Sequence, residues 1–274
     1  MRLKPYTHII LALILFSTLK GHSQSKDISI ILQNLYDRIL YSNNDVEKLR
    51  LNDSVYLLID NYVTSDSVFV HKFSNLRYLG QITSPDSKLK IINWNLILRD
   101  GSNKYFCYLI RKGEKGKGNK VYKLNGSHSD NPIKTNRSYS EKDWYGALYY
   151  AIQPYNKDYV VLGIDNSSLF QTRKIIDVLS FTPDGGLLFG KSCFIKGKET
   201  KLREVLEYSS EGVVSLRFKS PKLIVFDHLD VFSTGHENNT ESYGAGLFFD
   251  GYKLKRGNWE FISNIDAKNV RDKK

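Results

Sequence analysis

From Leu79 onward, short apolar runs alternate with turn signals at regular intervals, and this alternation constrains the fold more than any other feature. The turn signals combine Pro, Asp, Gly and Ser, as in Pro85-Asp86-Ser87-Lys88, Asp100-Gly101-Ser102 and Pro183-Asp184-Gly185-Gly186. Between Tyr159 and Phe226, six candidate strands fall within fewer than seventy residues, which predicts an antiparallel meander. The pattern predicts Leu187–Ile195 as one strand and leaves Trp144–Ile152 ambiguous between helix and strand.

Before these strands, residues 24–64 carry the three-four spacing of amphipathic helices. One helix is predicted around Ile28–Leu40, and Asn43-Asn44 separates it from a second helix between Asp45 and about Tyr62. Lone helices of this length are only marginally stable in water. The sequence therefore predicts an α+β fold that is mainly β, with two N-terminal helices packed on an antiparallel meander sheet or sandwich.

The first residues have the three parts of a secretory signal peptide. Arg2 and Lys4 are followed by an 11-residue apolar run, Ile9–Leu19, and then by Gly21-His22-Ser23. The run is shorter than the roughly 20 residues that a membrane-spanning helix needs, which disfavours an uncleaved anchor. We therefore predict a signal peptide over 1–23, cleavage near Ser23, and one strand-rich domain over 24–274, helical over 24–64 and mainly β over 78–262.

The charge balance is basic throughout the chain. Removing residues 1–23 takes away three cations and no acids, which lowers the formal net charge from +11 to +8. This excess permits an acidic glycan, an anionic lipid or a nucleic acid as partner. Because export excludes nucleic acid, we expect a glycan or an envelope protein instead, with no transmembrane segment in the mature chain and a periplasmic or secreted location.

Two cysteines, Cys107 and Cys193, lie in apolar and aromatic surroundings. An oxidising compartment allows a disulfide between them. Two separate buried thiols that pack as small hydrophobic groups are the alternative. The sequence leaves both readings open because nothing in it shows that the two residues are neighbours.

The densest polar cluster follows the apolar segment Leu223–Phe226 and comprises Asp227, His228 and Asp230, with His236 close behind. A His–Asp pair can act as a general base, and imidazoles and carboxylates can bind a divalent metal ion. Adjacent strand residues point to opposite faces, however, so Asp227 capping a turn and His228 in the core are the structural alternative. The chain has no G-x-S-x-G and no phosphate-binding loop, and we expect no cofactor.

Aromatic residues form the other candidate site. Trp94, Trp144 and Tyr145 could provide a platform for sugar rings, because aromatic faces suit the CH groups of carbohydrates. Packing of these rings in the core is the alternative reading. The residues thus favour a non-enzymatic envelope binding module, and a hydrolase or metal-dependent enzyme built on Asp227 and His228 stays open as the alternative.

Six stretches form a set that is moderately specific: 85–94 (PDSKLKIINW), 144–150 (WYGALYY), 159–165 (YVVLGID), 224–229 (IVFDHL), Tyr243-Gly244 and Asp250-Gly251-Tyr252. The set resembles a large family of uncharacterised secreted proteins of the Bacteroidota and covers most of the mature chain. Ile164 departs from the family pattern, where a Trp is usual. The family has no established activity, so the resemblance implies an exported, unified fold and no catalytic residues.

Overall fold

The computed structural model describes residues 28–74, 76–114, 118–127, 131–166, 170–232 and 242–265, and its contacts divide the chain after Tyr78 into two units. The predicted signal peptide and the proposed cleavage point near Ser23 lie outside the described residues. No helix in the described part of the chain combines the length and the apolar character needed to cross a bilayer.

The N-terminal unit is helical, as the sequence predicted. Helix α1 covers 28–41, helix α2 is Asp45–Val63, and a 3-10 helix follows at Asp66–Phe69. The break between the two α-helices falls where the sequence placed it, because the Asn44 side chain accepts hydrogen bonds from the first backbone N–H groups of α2. Helix α2 then buries one apolar face, which includes Leu51, Val55 and Ile59.

The second unit consists of strands in three sheets. The first sheet is a meander of four antiparallel strands in chain order: β1 (Gly80–Thr83), β2 (Leu89–Ile97), β3 (Asn103–Arg111) and β4 (Lys120–Ser127). The central sheet has the order β5-β9-β8-β7-β6, and its strands are β5 (Tyr139–Ser140), β6 (Leu148–Tyr155), β7 (Asp158–Asp165), β8 (Gln171–Phe181) and β9 (Leu187–Phe189).

The third sheet has the order β11-β10-β16-β15-β14-β13. Its strands are β10 (Phe194–Lys196), β11 (Glu199–Lys201), β13 (Leu216–Ser220), β14 (Leu223–Phe232), β15 (Ser242–Lys255) and β16 (Asn258–Ile265). Strand β12 (Glu204–Ser209) lies between β11 and β13 in the chain but pairs with β8 of the central sheet. The pairing of β10 with β16 is parallel, so the unit is not a simple meander throughout.

Two hydrophobic cores lie on opposite faces of the central sheet. The first core joins it to the first sheet and includes Leu89, Ile91, Leu109, Leu124, Val161, Ile175 and Leu179. The second core joins it to the third sheet and includes Val160, Leu162, Ile176, Val178, Phe194, Ile224 and Trp259. Burial on both faces explains why β7 and β8 read as nearly continuous apolar runs rather than as alternating ones.

The predicted class, α+β and mainly β, is confirmed. The packing of the helices on the sheet and the existence of one domain over 24–274 stay predictions. The ambiguous segment Trp144–Ile152 becomes a strand only from Leu148 onward, because Trp144–Ala147 forms the connection that seats Trp144 beside Tyr149 in the first core.

The prediction of Leu187–Ile195 as one strand is wrong. The segment forms two strands, β9 and β10, which belong to different sheets. Gly190 separates them with a φ of +100°, a conformation that residues with a side chain rarely adopt. The chain turns there from the central sheet to the third sheet, and apolar character continues because Phe189 at the end of β9 and Phe194 at the start of β10 are both buried.

The two cysteines are free and lie in different cores. Cys107 belongs to the first core and Cys193 to the second, so the central sheet stands between them and the disulfide considered from the sequence is not formed. Burial raises the pKa of both thiols, that of Cys193 to about 12. Both therefore pack as small hydrophobic groups.

We expect two reactive thiols after unfolding of the native chain in denaturant without any reductant. Iodoacetamide followed by intact mass measurement should then add two carbamidomethyl groups, whereas the folded chain should react slowly because both thiols are buried. Equal modification in a parallel sample pretreated with reductant is the control. Modification that appears only after reduction would contradict the free thiols.

Candidate functional site

A loop and short strand between the first and central sheets, residues 131–143, forms one wall of a pocket, and we call this segment the strap. Strand β5 lies within it and pairs with β9. Ile133 is buried in the first core, and the Leu202 backbone N–H donates to the Thr135 carbonyl at 2.8 Å. The strap is thus attached to the rest of the unit at three places.

Between the strap and the sheets lies a cavity of about 470 Å³, which we call the strap pocket. Its lining residues are Ser127, Asn131, Pro132, Ile133, Lys134, Arg137, Tyr139, Trp144, Tyr145, Asp165 and Arg173. Pockets for small molecules span about 300–1,000 Å³ and combine apolar walls with a few polar groups that fix the ligand. The strap pocket falls within this size range, and its lining combines apolar and aromatic residues with a larger share of polar and charged ones.

A fully buried ion pair lies behind the pocket. Arg203 Nε donates to Asp177 Oδ2 at 2.8 Å, and both side chains have no exposed surface. Burial raises the pKa of the Asp177 carboxyl, while the Arg203 charge and the hydrogen bonds that the carboxylate accepts act in the opposite direction. Loss of Arg203 would leave this carboxylate without the charge that offsets its burial.

The same arginine holds the strap. Its Nη1 donates to the carbonyl oxygens of Lys134 and Arg137, and its Nη2 donates to the Phe189 carbonyl at 3.1 Å. The Arg203 guanidinium also lies 4.7 Å from the centre of the Tyr139 ring. A Cβ on Gly190 would lie 2.6 Å from Arg203 Nη2, so this glycine gives the guanidinium its space as well as turning the chain.

A chain of aromatic hydrogen bonds leads from the pocket wall to the ion pair. Trp144 Nε1 donates to the Tyr149 hydroxyl at 2.9 Å, the hydroxyls of Tyr149 and Tyr145 are 3.0 Å apart, and Tyr145 donates to Asp177 Oδ2 at 2.9 Å. Burial, together with the nearby Asp177 charge, raises the pKa of Tyr145 well above its usual value. The phenol therefore stays protonated and acts as a donor to the carboxylate.

A second ion pair lies on the opposite wall, where β7 ends and β8 begins. Arg173 Nε donates to Glu207 Oε2 at 2.6 Å, and its Nη1 lies 3.4 Å from Asp165 Oδ2. Tyr105 donates to Asp165 Oδ1 at 2.8 Å and accepts from the Asn166 backbone N–H. Asp165 and Arg173 are both buried, and their polar atoms have partners on several strands.

On the strap itself, Arg137 pairs with Asp143 and stacks 4.2 Å from the centre of the Tyr139 ring. Burial acts to raise the pKa of Asp143, but hydrogen bonds from Ser140 and the Arg137 charge outweigh it and lower the pKa below its usual value. Both the backbone N–H and the hydroxyl of Ser140 donate to Asp143 Oδ1, and these two hydrogen bonds fix the turn at Ser140.

The charges of the pocket cancel. The lining carries three cations, Lys134, Arg137 and Arg173, and one carboxylate, Asp165. The direct partners of the two arginines add the carboxylates of Asp143 and Glu207, which gives three positive and three negative groups. The Arg203–Asp177 pair behind the pocket is also neutral. The lining thus presents many donors and acceptors, and its charge is balanced only together with the direct partners Asp143 and Glu207.

Two of the three predicted aromatic binding residues, Trp144 and Tyr145, line the strap pocket. Trp94 does not join them. It lies opposite Phe106 across β2 and β3, on the face of the first sheet that points away from the first core, and its ring stacks on Phe106 at 5.4 Å. The three residues therefore form no common platform.

The structure also separates the predicted catalytic pair. Asp227 accepts a hydrogen bond from the Ser215 backbone N–H at 2.7 Å, whereas His228 contacts Asp250 and Asp230. Within the described ranges, no group of three or more His, Cys, Asp or Glu residues could hold a metal ion. His236, the other metal candidate, lies outside the described residues.

The sequence reading missed the four charged residues that organise the pocket: Asp165, Arg173, Asp177 and Arg203. The sequence does contain a signal for Asp177, because this carboxylate interrupts the apolar run Ile175–Leu179. A carboxylate in a buried strand needs hydrogen-bond or charge partners, so the position of Asp177 indicates a buried polar contact. Its partner Arg203 lies 26 residues away on another strand connection, and no local pattern links the two.

Replacing Arg203 by Met should destabilise the protein by about 3–5 kcal/mol, because Asp177 would remain buried without its counter-charge. The double variant R203M/D177L should be less destabilised than the sum of the single variants, as measured by urea unfolding. The matched control is K255M, which breaks the exposed Lys255–Glu260 pair and should cost less than about 1 kcal/mol. Additive single effects would contradict the coupling.

No protein-family model, no curated protein and no solved structure matches this chain. The resemblance to secreted Bacteroidota proteins stays a prediction. The function is therefore inferred from the chemistry of the strap pocket itself.

Proposed function

We propose that this protein is exported to the periplasm or beyond, with cleavage near Ser23, and works there as a non-enzymatic binding module. The composition of residues 1–23 supports export, since a basic start, a short apolar run and small residues before the cut occur in that order. The described part of the chain offers a pocket of ligand size. Together these features fit a protein that captures a ligand in the envelope.

The ligand that we propose is a neutral sugar unit of a glycan. The observation that carries this proposal is that aromatic walls and charge-balanced ion pairs line one cavity. Each sugar hydroxyl both donates and accepts hydrogen bonds, so it needs the two kinds of partner side by side. Arg173 and Arg137 supply donors, and Asp165 supplies an acceptor, at the same cavity.

Net charge decides between a neutral and an acidic ligand. A pocket for a carboxylate or phosphate keeps cations without internal partners, because the ligand itself supplies the negative charge. Arg137 and Arg173 are instead already paired with carboxylates of the protein. An acidic ligand would compete with Asp143 and Asp165, whereas a neutral hydroxyl can bond to the paired groups without separating them.

The alternative of a hydrolase or metal-dependent enzyme built on Asp227 and His228 receives less support. Their side chains lie on different faces of β14, since Asp227 contacts Ser215 and His228 contacts Asp250 on the face of Phe226. A general base and its partner must lie within hydrogen-bond reach of one reacting group. This separation favours the binding role.

Export predicts the N-terminus of the mature protein. When the full chain is expressed in its native host, mass spectrometry of the N-terminal peptide of the purified protein should show a start at Gln24, because the small residues before the cut suit signal peptidase. A variant with Ser23→Tyr should leave the precursor uncut. Recovery from the cytosol of a chain that begins at Met1 would contradict the proposal.

Glycan binding is tested on an array of neutral and acidic oligosaccharides. We expect neutral glycans to bind, with little loss in raised salt, because no net charge is neutralised. Asn131→Ala and Lys134→Ala change exposed lining residues and should each weaken binding roughly two- to tenfold, the value of one or two hydrogen bonds.

Lys157→Ala is the matched control, since Lys157 is exposed in the turn between β6 and β7 and does not line the pocket. It should bind as the parent protein does. Binding of acidic glycans alone, abolished by salt, would contradict the argument from balanced charges. An array with no binding at all would overturn the proposed function.

A further inference from the structure

A second polar site lies in the third sheet, where the pairing of β14 with β15 is interrupted. The register shifts between Asp227 and Leu229, where residues 246–248 of β15 lie opposite His228 alone, so β15 bulges opposite His228. Bulges redirect side chains and occur often beside functional sites. Here the bulge brings His228 between two carboxylates, Asp250 on β15 and Asp230 on its own strand.

Asp250 orients the imidazole. Its Oδ2 lies 2.6 Å from His228 Nδ1, and the Asp250 side chain is only 8% exposed. The ionised carboxylate can only accept, so the contact assigns the proton of a neutral imidazole to Nδ1. The Nε2 lone pair is then available on a side chain that is 44% exposed. Histidines that bind metal ions are held by a carboxylate in this manner.

The distance on the other side of the ring fits a metal ion. His228 Nε2 lies 3.6 Å from Asp230 Oδ1, which is too long for a hydrogen bond. Two ligands that each lie about 2.1 Å from one ion at a tetrahedral angle are separated by about 3.4 Å. The observed separation is close to this value, and both side chains are accessible to solvent.

Gly246 on β15 leaves the space that the Asp230 carboxylate occupies beside His228. A Cβ at this position would lie 2.3 Å from Asp230 Oδ2 and 3.1 Å from the His228 carbonyl oxygen. A residue with a side chain would therefore push the Asp230 carboxylate away from His228. The position of the Asp230 carboxylate therefore depends on the absence of a side chain at residue 246 of the opposite strand.

We propose that His228 Nε2 and Asp230 Oδ1 bind one zinc-like transition-metal ion, with Asp250 as the positioning residue that orients the imidazole. Two protein ligands leave the remaining coordination positions to water, so the site is open. Imidazole with carboxylate suits Zn²⁺, Ni²⁺ or Cu²⁺, whereas Mg²⁺ prefers oxygen ligands alone. This inference is independent of the strap pocket and of its glycan.

The test is calorimetric titration of the native chain with Zn²⁺ alone near neutral pH, with Mg²⁺ as a second probe. We expect one Zn²⁺ per chain at this site and no Mg²⁺. Affinity for Zn²⁺ should fall at least tenfold in His228→Ala, and about 10–100-fold in Asp250→Asn, the usual effect of removing a carboxylate that orients a ligand. Asp230→Asn and Gly246→Ala should each weaken binding about tenfold.

Asp227→Asn is the matched control, because Asp227 lies next to His228 but contacts Ser215 on the other face. It should bind Zn²⁺ as the parent chain does. A nitrogen-15 NMR titration of the unaltered chain avoids variants that fail to fold, and the His228 Nε2 resonance should shift on addition of Zn²⁺. An unmoved resonance, or unchanged affinity in His228→Ala, would overturn the proposal.

Discussion

The buried ion pair between Asp177 and Arg203 is the interaction on which the second unit depends. An isolated charge in this position would cost several kcal/mol, so the pair exists only because the carboxylate and the guanidinium satisfy one another and their neighbours. Arg203 holds the strap by two carbonyl oxygens and the end of β9 by a third. One pair of side chains thereby joins the central sheet, the strap and the connection to the third sheet.

The position of this pair follows from the architecture of the central sheet. Strand β8 pairs with β12 up to Ile176 and with β9 from Leu179 onward, so its edge changes partner at Asp177. A polar side chain can be accommodated there because the ladder is interrupted and the Val178 backbone N–H donates to the carboxylate. The strap is attached near this change of partner, because Arg203 beside Asp177 donates to the carbonyl oxygens of Lys134 and Arg137.

The two candidate sites use polar residues in different ways. In the strap pocket, Arg137 and Arg173 are paired within the protein, which suits a neutral ligand with many hydroxyls. Where β15 bulges opposite His228, Asp250 contacts one nitrogen of the imidazole, and Asp230 Oδ1 lies 3.6 Å from the other, the separation on which the proposed metal site rests. In both proposals, burial and pairing decide the expected ligand class more than residue type does.

Local signals were sufficient to predict the α+β class, the start of α2 after Asn44 and most strand positions, because helix caps, turn residues and the period of apolar residues are all visible within a few residues of the chain. The sequence also placed Trp144 and Tyr145 among the binding candidates. The folded arrangement of the sheets was needed to show that Cys107 and Cys193 face different cores and that Arg203 meets Asp177. The physical reason is that a two-residue period assigns a side chain to a face, whereas the stacking of the sheets decides what lies against that face.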